Sequence, residues 1–186
     1  MNYQTYDQWN DEIWADAGFI YKQAFKEKGA KPEDIIRNMF QKGICYLHVG
    51  YMGDQIVAMT LTGKLTEMDA LLIDYLSVHP DFQNQGLGKK LVNYIHKWSQ
   101  GKDHFDAIII EVEAEKTPEN IKRIHFWQKC GFTLTDYIHH YIWVPEPYQA
   151  MYIQTNSKHA EFSGEELFKH ISKFHKASFQ KKREKP

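Results

Sequence analysis

The stretch Ala70-Leu71-Leu72-Ile73-Asp74-Tyr75-Leu76-Ser77-Val78-His79-Pro80-Asp81-Phe82-Gln83-Asn84-Gln85-Gly86-Leu87-Gly88-Lys89-Lys90 decides how the rest of the chain is read. Its first half is an apolar run of strand length that stops at Pro80. Its second half is a glycine-punctuated turn that opens into Leu91 and Val92. A strand feeding such a turn at a helix start is a common way to hold a phosphate. The first N–H groups of a helix have no partner within it, and the helix dipole draws negative charge toward them. Alone, Gln83-x-x-Gly86-x-Gly88 is a weak signal, because glycines ahead of a helix usually make only a tight turn. No Lys-Ser/Thr pair follows a Gly-x-x-x-x-Gly spacing, and no third glycine completes a dinucleotide fingerprint.

Downstream, Leu87, Leu91, Ile95 and Trp98 fall on one helical stripe, with Lys89, Lys90, Asn93 and Lys97 outside it and Gly101 at its end. Ala107-Ile108-Ile109-Ile110-Glu111-Val112-Glu113 then reads as a buried strand. Strand, helix and strand make a crossover unit, so the two strands are expected to be parallel neighbours. Thr117 and Pro118 start a further helix that ends at Cys130-Gly131. Strands are expected at residues 132–135, 141–144 and 148–153, and an amphipathic helix from Ser163 carrying Leu167, Phe168, Ile171 and Phe174. Lys181-Lys182-Arg183-Glu184-Lys185-Pro186 reads as a solvated tail.

Upstream, apolar residues at three- and four-residue steps predict a helix over residues 8–28, and Pro32 opens a second helix that Gly43 closes. The β-rich runs at residues 44–51 and 56–62 flank Gly53-Asp54, the signal of a hairpin. With the opening strand they form three sequential strands most easily paired antiparallel.

The 186 residues fit one domain, and 42% hydrophobic with 25% charged residues is ordinary for a globular chain. A formal charge of −1 argues against a nucleic-acid partner. Cys45 and Cys130 form no CxxC pair, and ten histidines show no ligand spacing, so neither a disulfide framework nor a metal site is expected. The N-terminus lacks a basic start and an apolar core, and no run approaches the ~20 apolar residues of a membrane span. A cytoplasmic protein without a membrane partner is the expectation; monomer and homodimer both stay open.

Two segments together carry a family resemblance. Leu76 through Gly88 resembles the acetyl-CoA signature of the GNAT superfamily of N-acetyltransferases, an Arg/Gln-x-x-Gly-x-Gly/Ala segment after an apolar strand ending in Val-x-Pro. Asn120 through Phe126-Trp127-Gln128-Lys129-Cys130-Gly131-Phe132 is similar to the family's helix ending in Phe-Tyr-x-x-x-Gly-Phe. The resemblance spans about residues 70–135 and implies an α/β (α+β) fold. Its sheet would be mixed and mostly antiparallel, of about six to seven strands, with a splayed parallel pair at the centre. About four helices plus a C-terminal helix would flank it. The expected division is a domain over residues 1–155 with a helical extension over 156–186.

Activity and site follow as implications of the resemblance. The chain would move an acetyl group from acetyl-CoA to a primary amine of a small molecule or peptide by direct attack. Gln83, Asn84, Gln85, Gly86, Leu87, Gly88, Lys89 and Lys90 would hold the pyrophosphate, with bare glycine backbone allowing close approach. Main-chain groups of Leu76, Ser77 and Val78 would meet the pantetheine arm, and Asn120 and Trp127 would complete the cofactor contacts. The attacking amine must be neutral, which calls for a proton acceptor. Asp74, Glu111 and Glu113 are the candidates, and strand alternation puts Asp74 on the face of Leu76 and Val78. The chain departs from the family at Trp127, where many members carry a tyrosine that protonates the CoA sulfur. Indole cannot act as a phenolic acid. Tyr137 and Tyr141 are substitutes, or the fold serves as a non-catalytic acyl-CoA-binding or interaction module.

Overall fold

The structure is a computed structural model that describes residues 1–25, 29–101, 104–156 and 161–180. In chain order it contains strand β1 (Asn2–Tyr6), helices α1 (Asp11–Phe25) and α2 (Glu33–Gln41), and strands β2 (Cys45–Met52), β3 (Gln55–Leu65) and β4 (Ala70–Val78). Helix α3 (Leu87–Ser99), strand β5 (Ala107–Glu113) and helix α4 (Pro118–Lys129) follow. Strands β6 (Thr133–Leu134), β7 (His139–His140) and β8 (Pro147–Gln154) and helix α5 (Gly164–Phe179) complete it. The eight strands form one sheet in the order β1-β2-β3-β4-β5-β8-β6, with β7 against β8.

The mixed, mostly antiparallel sheet and its central parallel pair are as expected. Two details differ. Residues 2–6 form an edge strand antiparallel to β2 that was not anticipated. Residues 141–144 are irregular, and the short strand there is His139–His140. Tyr141 leaves the strand path to reach Glu111, as described below. Part of the expected first helix, residues 26–28, and the basic tail at 181–186 lie outside the described residues.

Strands β4 and β5 run through the middle because their residues are apolar on both faces. Leu71, Leu72, Ile73, Ile108 and Ile109 are at most 1% exposed. One face is covered by α1, α2 and α5, which pack Trp14, Ile20, Ile36, Met39, Phe168 and Ile171 against Leu72, Ala107 and Ile109. The other carries α3 and α4, whose Leu91, Ile95 and Trp127 pack on Leu71, Ile73, Ile108 and Ile110.

The parallel contact of β4 with β5 runs only from Ala70↔Ala107 to Ile73↔Ile110. Beyond it β4 stays paired with β3 as far as Val78, and β5 with β8 as far as Glu113. The two strands therefore part at Asp74 and Glu111. A bulge sits at the same point: Thr62 pairs with Ile73 and Leu61 with Tyr75, leaving Asp74 as the extra residue. The inserted residue reverses the alternation. Tyr75 joins the core under α1 and α5, while Leu76 and Val78 turn to the α3 and α4 face. The expectation that Asp74 shares a face with Leu76 and Val78 is thereby overturned.

Helix α5 is built into this core. Phe174 lies over Gly63, where an added Cβ would overlap its ring. At the far end of the helix, Lys42 Nζ donates to Ala177 O and Asn38 Nδ2 to Gln180 O at 2.9 Å, satisfying carbonyls that have no partner in the helix.

One buried histidine fixes an acid-side limit to stability. His48 on β2 is fully buried, with Thr5 Oγ1 2.8 Å from Nδ1 and Thr62 Oγ1 2.9 Å from Nε2. Burial pushes its pKa down from 6.5 to about 3. The unfolded chain thus binds this proton before the folded chain does. The contribution is complete above about pH 6.5 and is lost as pH falls toward 3, at up to about 1.4 kcal/mol per pH unit. Denaturant unfolding between pH 7 and pH 5 should show a shallower loss for His48→Gln than for the parent chain. Parallel curves would assign the loss elsewhere.

Candidate active site

The turn after β4 and the start of α3 form one half of the site. Pro80–Phe82 makes a single 3-10 turn, Asn84 has φ 61°, and Gly86 precedes α3 with φ 73° and ψ 11°. Gln83 Nε2 donates to Val78 O at 3.2 Å and ties the turn to the strand end. Residues 83–86 are exposed. Lys90 N–H makes the first bond within the helix, to Gly86 O at 3.1 Å, so the N–H groups just before it have no intrahelical acceptor.

Charge at this helix start is unlike that of its neighbours. The other four helices carry acidic residues in their first turn, whereas α3 carries none and exposes Lys89 and Lys90 there. No side chain caps it, while Thr117 and Ser163 cap α4 and α5. The two glycines serve different ends. A Cβ on Gly86 would meet nothing within 4 Å, whereas one on Gly88 would lie 3.4 Å from the Phe126 ring and 3.7 Å from Leu76. Gly86 opens the site, and Gly88 lets α3 approach α4.

The second half lies on the opposite face, where β4 and β5 part. Lys31 Nζ donates to both oxygens of Asp74, at 2.8 and 2.7 Å, and the two side chains are only 4% and 3% exposed. Glu111 accepts from Tyr141 OH at 2.7 Å and lies 2.6 Å from His175 Nε2. His175 Nδ1 is 3.5 Å from Lys31 Nζ, which joins the two carboxylates into one network. Burial, the largest influence, raises the pKa of Glu111. The hydrogen bonds from His175 and from the Tyr141 hydroxyl, with the Lys31 charge, outweigh it, and the net shift is downward. Burial and the Glu111 charge push Tyr141 well above the ordinary phenol range.

The remaining expected residues lie on β4, β5, α4 and the segment after α4. Leu76 and Val78 are half-buried toward α3, and Ser77 is buried. Asn120 is 4% exposed, and its Nδ2 donates to Glu115 O at 3.1 Å, so it braces the chain leaving β5. Trp127 is 3% exposed and packs edge-on between Phe126 and Phe132, with centroids 5.0 and 5.2 Å away. Glu113 lies 3.7 Å from Arg123 Nη1 at the outer end of β5. Tyr137 is exposed, whereas Tyr141 reaches Glu111. Burial raises the Cys130 thiol to about 11, which keeps it protonated at neutral pH.

A family model described as the acetyltransferase (GNAT) family matches residues 6–132, an interval that holds the parting strands, the Gly86 turn and α4. The chain belongs to this family. Known structures place its fold in the same group. A Bacillus subtilis acetyltransferase in complex with CoA is 18% identical, with TM-score 0.58 over 82% of this chain and 97% of that one. The ribosomal-protein-alanine N-acetyltransferase from Escherichia coli is 16% identical, with TM-score 0.62 over 87% and 100%. A spermidine N-acetyltransferase from Vibrio cholerae is 14% identical, with TM-score 0.63 over 83% and 95%. At these identities the likeness is one of fold. Among curated proteins no relative matches by sequence.

Two residues of this candidate site went unread in the sequence. Lys31 sits in the segment between α1 and α2, and His175 follows the apolar stripe of α5; neither has a local signal for a partner more than 40 positions away. Tyr141 was a candidate proton donor to the CoA sulfur, and its bond to Glu111 had no signal in the sequence. Among the described residues no cluster of His, Cys, Asp and Glu is arranged to hold a metal, and no helix is long and apolar enough to cross a membrane. A cavity of about 150 Å³ between Lys64, Leu65, His170 and Phe174 lies at the opposite end of β3 from the Gly86 turn and takes no part in the site.

Proposed function

We propose that this GNAT-family chain transfers an acetyl group from acetyl-CoA to a primary amine of a small molecule or peptide, by direct attack of the amine on the thioester. The observation that carries the reading is a coincidence in space. The parallel strands part at Asp74 and Glu111, and the same strand β4 leads straight into an uncapped, lysine-bearing helix start at Gly86. The residues fit the cofactor. The N–H groups from Gln85 to Lys89, with the side chains of Lys89 and Lys90, would hold the pyrophosphate. Main-chain groups at Leu76 and Val78 would hold the pantetheine arm. Gln83 already occupies one side of the Val78 carbonyl and fixes its direction.

The acceptor amine would approach from the α5 face, where Glu111 and Asp74 point. Of the three carboxylates Glu111 suits proton acceptance best. Asp74 has both oxygens committed to Lys31, and Glu113 lies farther out beside Arg123. Glu111 is held ionised at neutral pH and stands at the mouth of the gap with 19% of its side chain exposed. In this reading Asn120 and Trp127 support the cleft from behind. The packing of Trp127 favours a second reading, an acyl-CoA-binding module without transfer, since no phenol stands at that position.

Calorimetry with acetyl-CoA, together with thiol release measured over a panel of alkyl amines and lysine-containing peptides, tests both. Binding with amine-dependent thiol release supports the transferase. Binding without release across the panel supports the module, and absence of binding overturns both.

A further inference from the structure

We propose that His175 is a positioning residue for Glu111, so that the C-terminal helix α5 completes the proton-transfer side of the site. The inference rests on the transferase reading and deepens it. Its basis is the order of contacts from Asp74 to Tyr141. Lys31 gives two bonds to Asp74 and has no lone pair, so the His175 Nδ1 facing it at 3.5 Å is the bare nitrogen. Nε2 then carries the hydrogen and donates it to Glu111 at 2.6 Å. The Asp74–Lys31 pair thereby fixes the tautomer of His175, and His175 fixes the rotamer of Glu111. Tyr141 holds the second carboxylate oxygen at 2.7 Å. Each group comes from a different part of the chain, and α5 is pinned at both Phe174 and its C-terminal carbonyls, which holds the imidazole still.

The step this serves balances simply. A neutral amine attacks the thioester carbonyl carbon; the C–N bond forms, the C–S bond breaks, and its electron pair leaves on sulfur. The nitrogen, cationic once bonded, gives a proton to the Glu111 carboxylate, which passes it to water. Water supplies the proton that ends on sulfur. His175 touches no reacting atom and acts through Glu111. Groups facing that carboxylate are His175 from α5, Tyr141 and His139 from the β7 segment, Tyr148 from β8, and Lys31, which carries Asp74 on its other side.

The test uses acetyl-CoA with methoxyamine, a small amine that stays neutral into the acid range, and follows thiol release against pH. In His175→Ala the burial of Glu111 is opposed by one donor fewer, with Tyr141 the remaining one, so the acid limb of kcat should move up by about one pH unit and kcat should fall by about tenfold or more. KM for acetyl-CoA should stay unchanged, and His175→Gln, which keeps an N–H donor, should recover much of the rate. In the free protein, an exchange-protected imidazole N–H resonance far downfield should be present and should vanish in Glu111→Gln. A His175→Ala profile that superimposes on the parent profile after scaling, or a parent chain that does not accelerate thiol release, overturns the proposal. Loss of calorimetric acetyl-CoA binding in the parent chain would instead overturn the transferase reading itself.

Discussion

Lys31→Met is expected to lower the unfolding free energy by about 3–5 kcal/mol, the cost of leaving a buried charge without its partner. Lys31 and Asp74 are 4% and 3% exposed, and the ammonium donates to both carboxylate oxygens. Its positive charge also lies over the Tyr75 and Phe174 rings, at 5.1 and 5.7 Å. Removing the cation strands Asp74 beneath α5. The double variant Lys31→Met, Asp74→Leu should regain most of the loss, because two apolar groups of similar volume replace the pair without an unpaired charge. Denaturant titration of the parent, single and double variants gives the comparison. A single variant within about 1 kcal/mol of the parent would show that water reaches the pair. Thiol release retained in the double variant would exclude Asp74 as the proton acceptor.

The second large effect is on binding. Gly86→Asp should weaken acetyl-CoA binding by at least about 100-fold, or about 2.7 kcal/mol. The backbone there is left-handed, at φ 73°, which aspartate adopts at modest cost, and no atom lies within 4 Å of the new Cβ. An acidic group at a helix start is favourable to the helix itself. The fold should therefore survive while the new carboxylate occupies the place of the pyrophosphate and repels it. Gly88→Asp should differ, because its Cβ presses toward Phe126 at 3.4 Å and the substitution should cost stability as well. Calorimetry alongside thermal unfolding distinguishes the two. Unchanged affinity in a folded Gly86→Asp variant would place the phosphates elsewhere.

Much of the glycine-turn half of the candidate site was legible because it is local. Ala70 to Lys90 are contiguous, and the strand, the turn and the helix start follow from periodicity, from Pro80 and from Gly86. The crossover from β4 through α3 to β5 then has only one hand and one neighbour available. The edge strand Asn2–Tyr6 escaped notice because its five residues alternate weakly, and its pairing with β2 depends on a partner more than 40 positions away. The face of Asp74 was misread for a related reason. Alternation assumes a regular ladder, and the bulge that breaks it is set by how β3 and β4 fit across Leu61 and Thr62.

The carboxylate half of the candidate site was hidden for want of any local pattern. Glu111 and Asp74 were recognisable as carboxylates in apolar strands, yet their states depend on partners brought by α5 and by the segment after α1. The sequence by itself determined the glycine turn, the crossover and the family to which they belong, since these rest on neighbours along the chain. Only the tertiary structure decided that Asp74 is locked to Lys31 and that Glu111 is held ionised by His175 and Tyr141. A carboxylate's proton affinity is set by burial and by the charges around it, and those are fixed by packing across the sheet rather than by order along the chain.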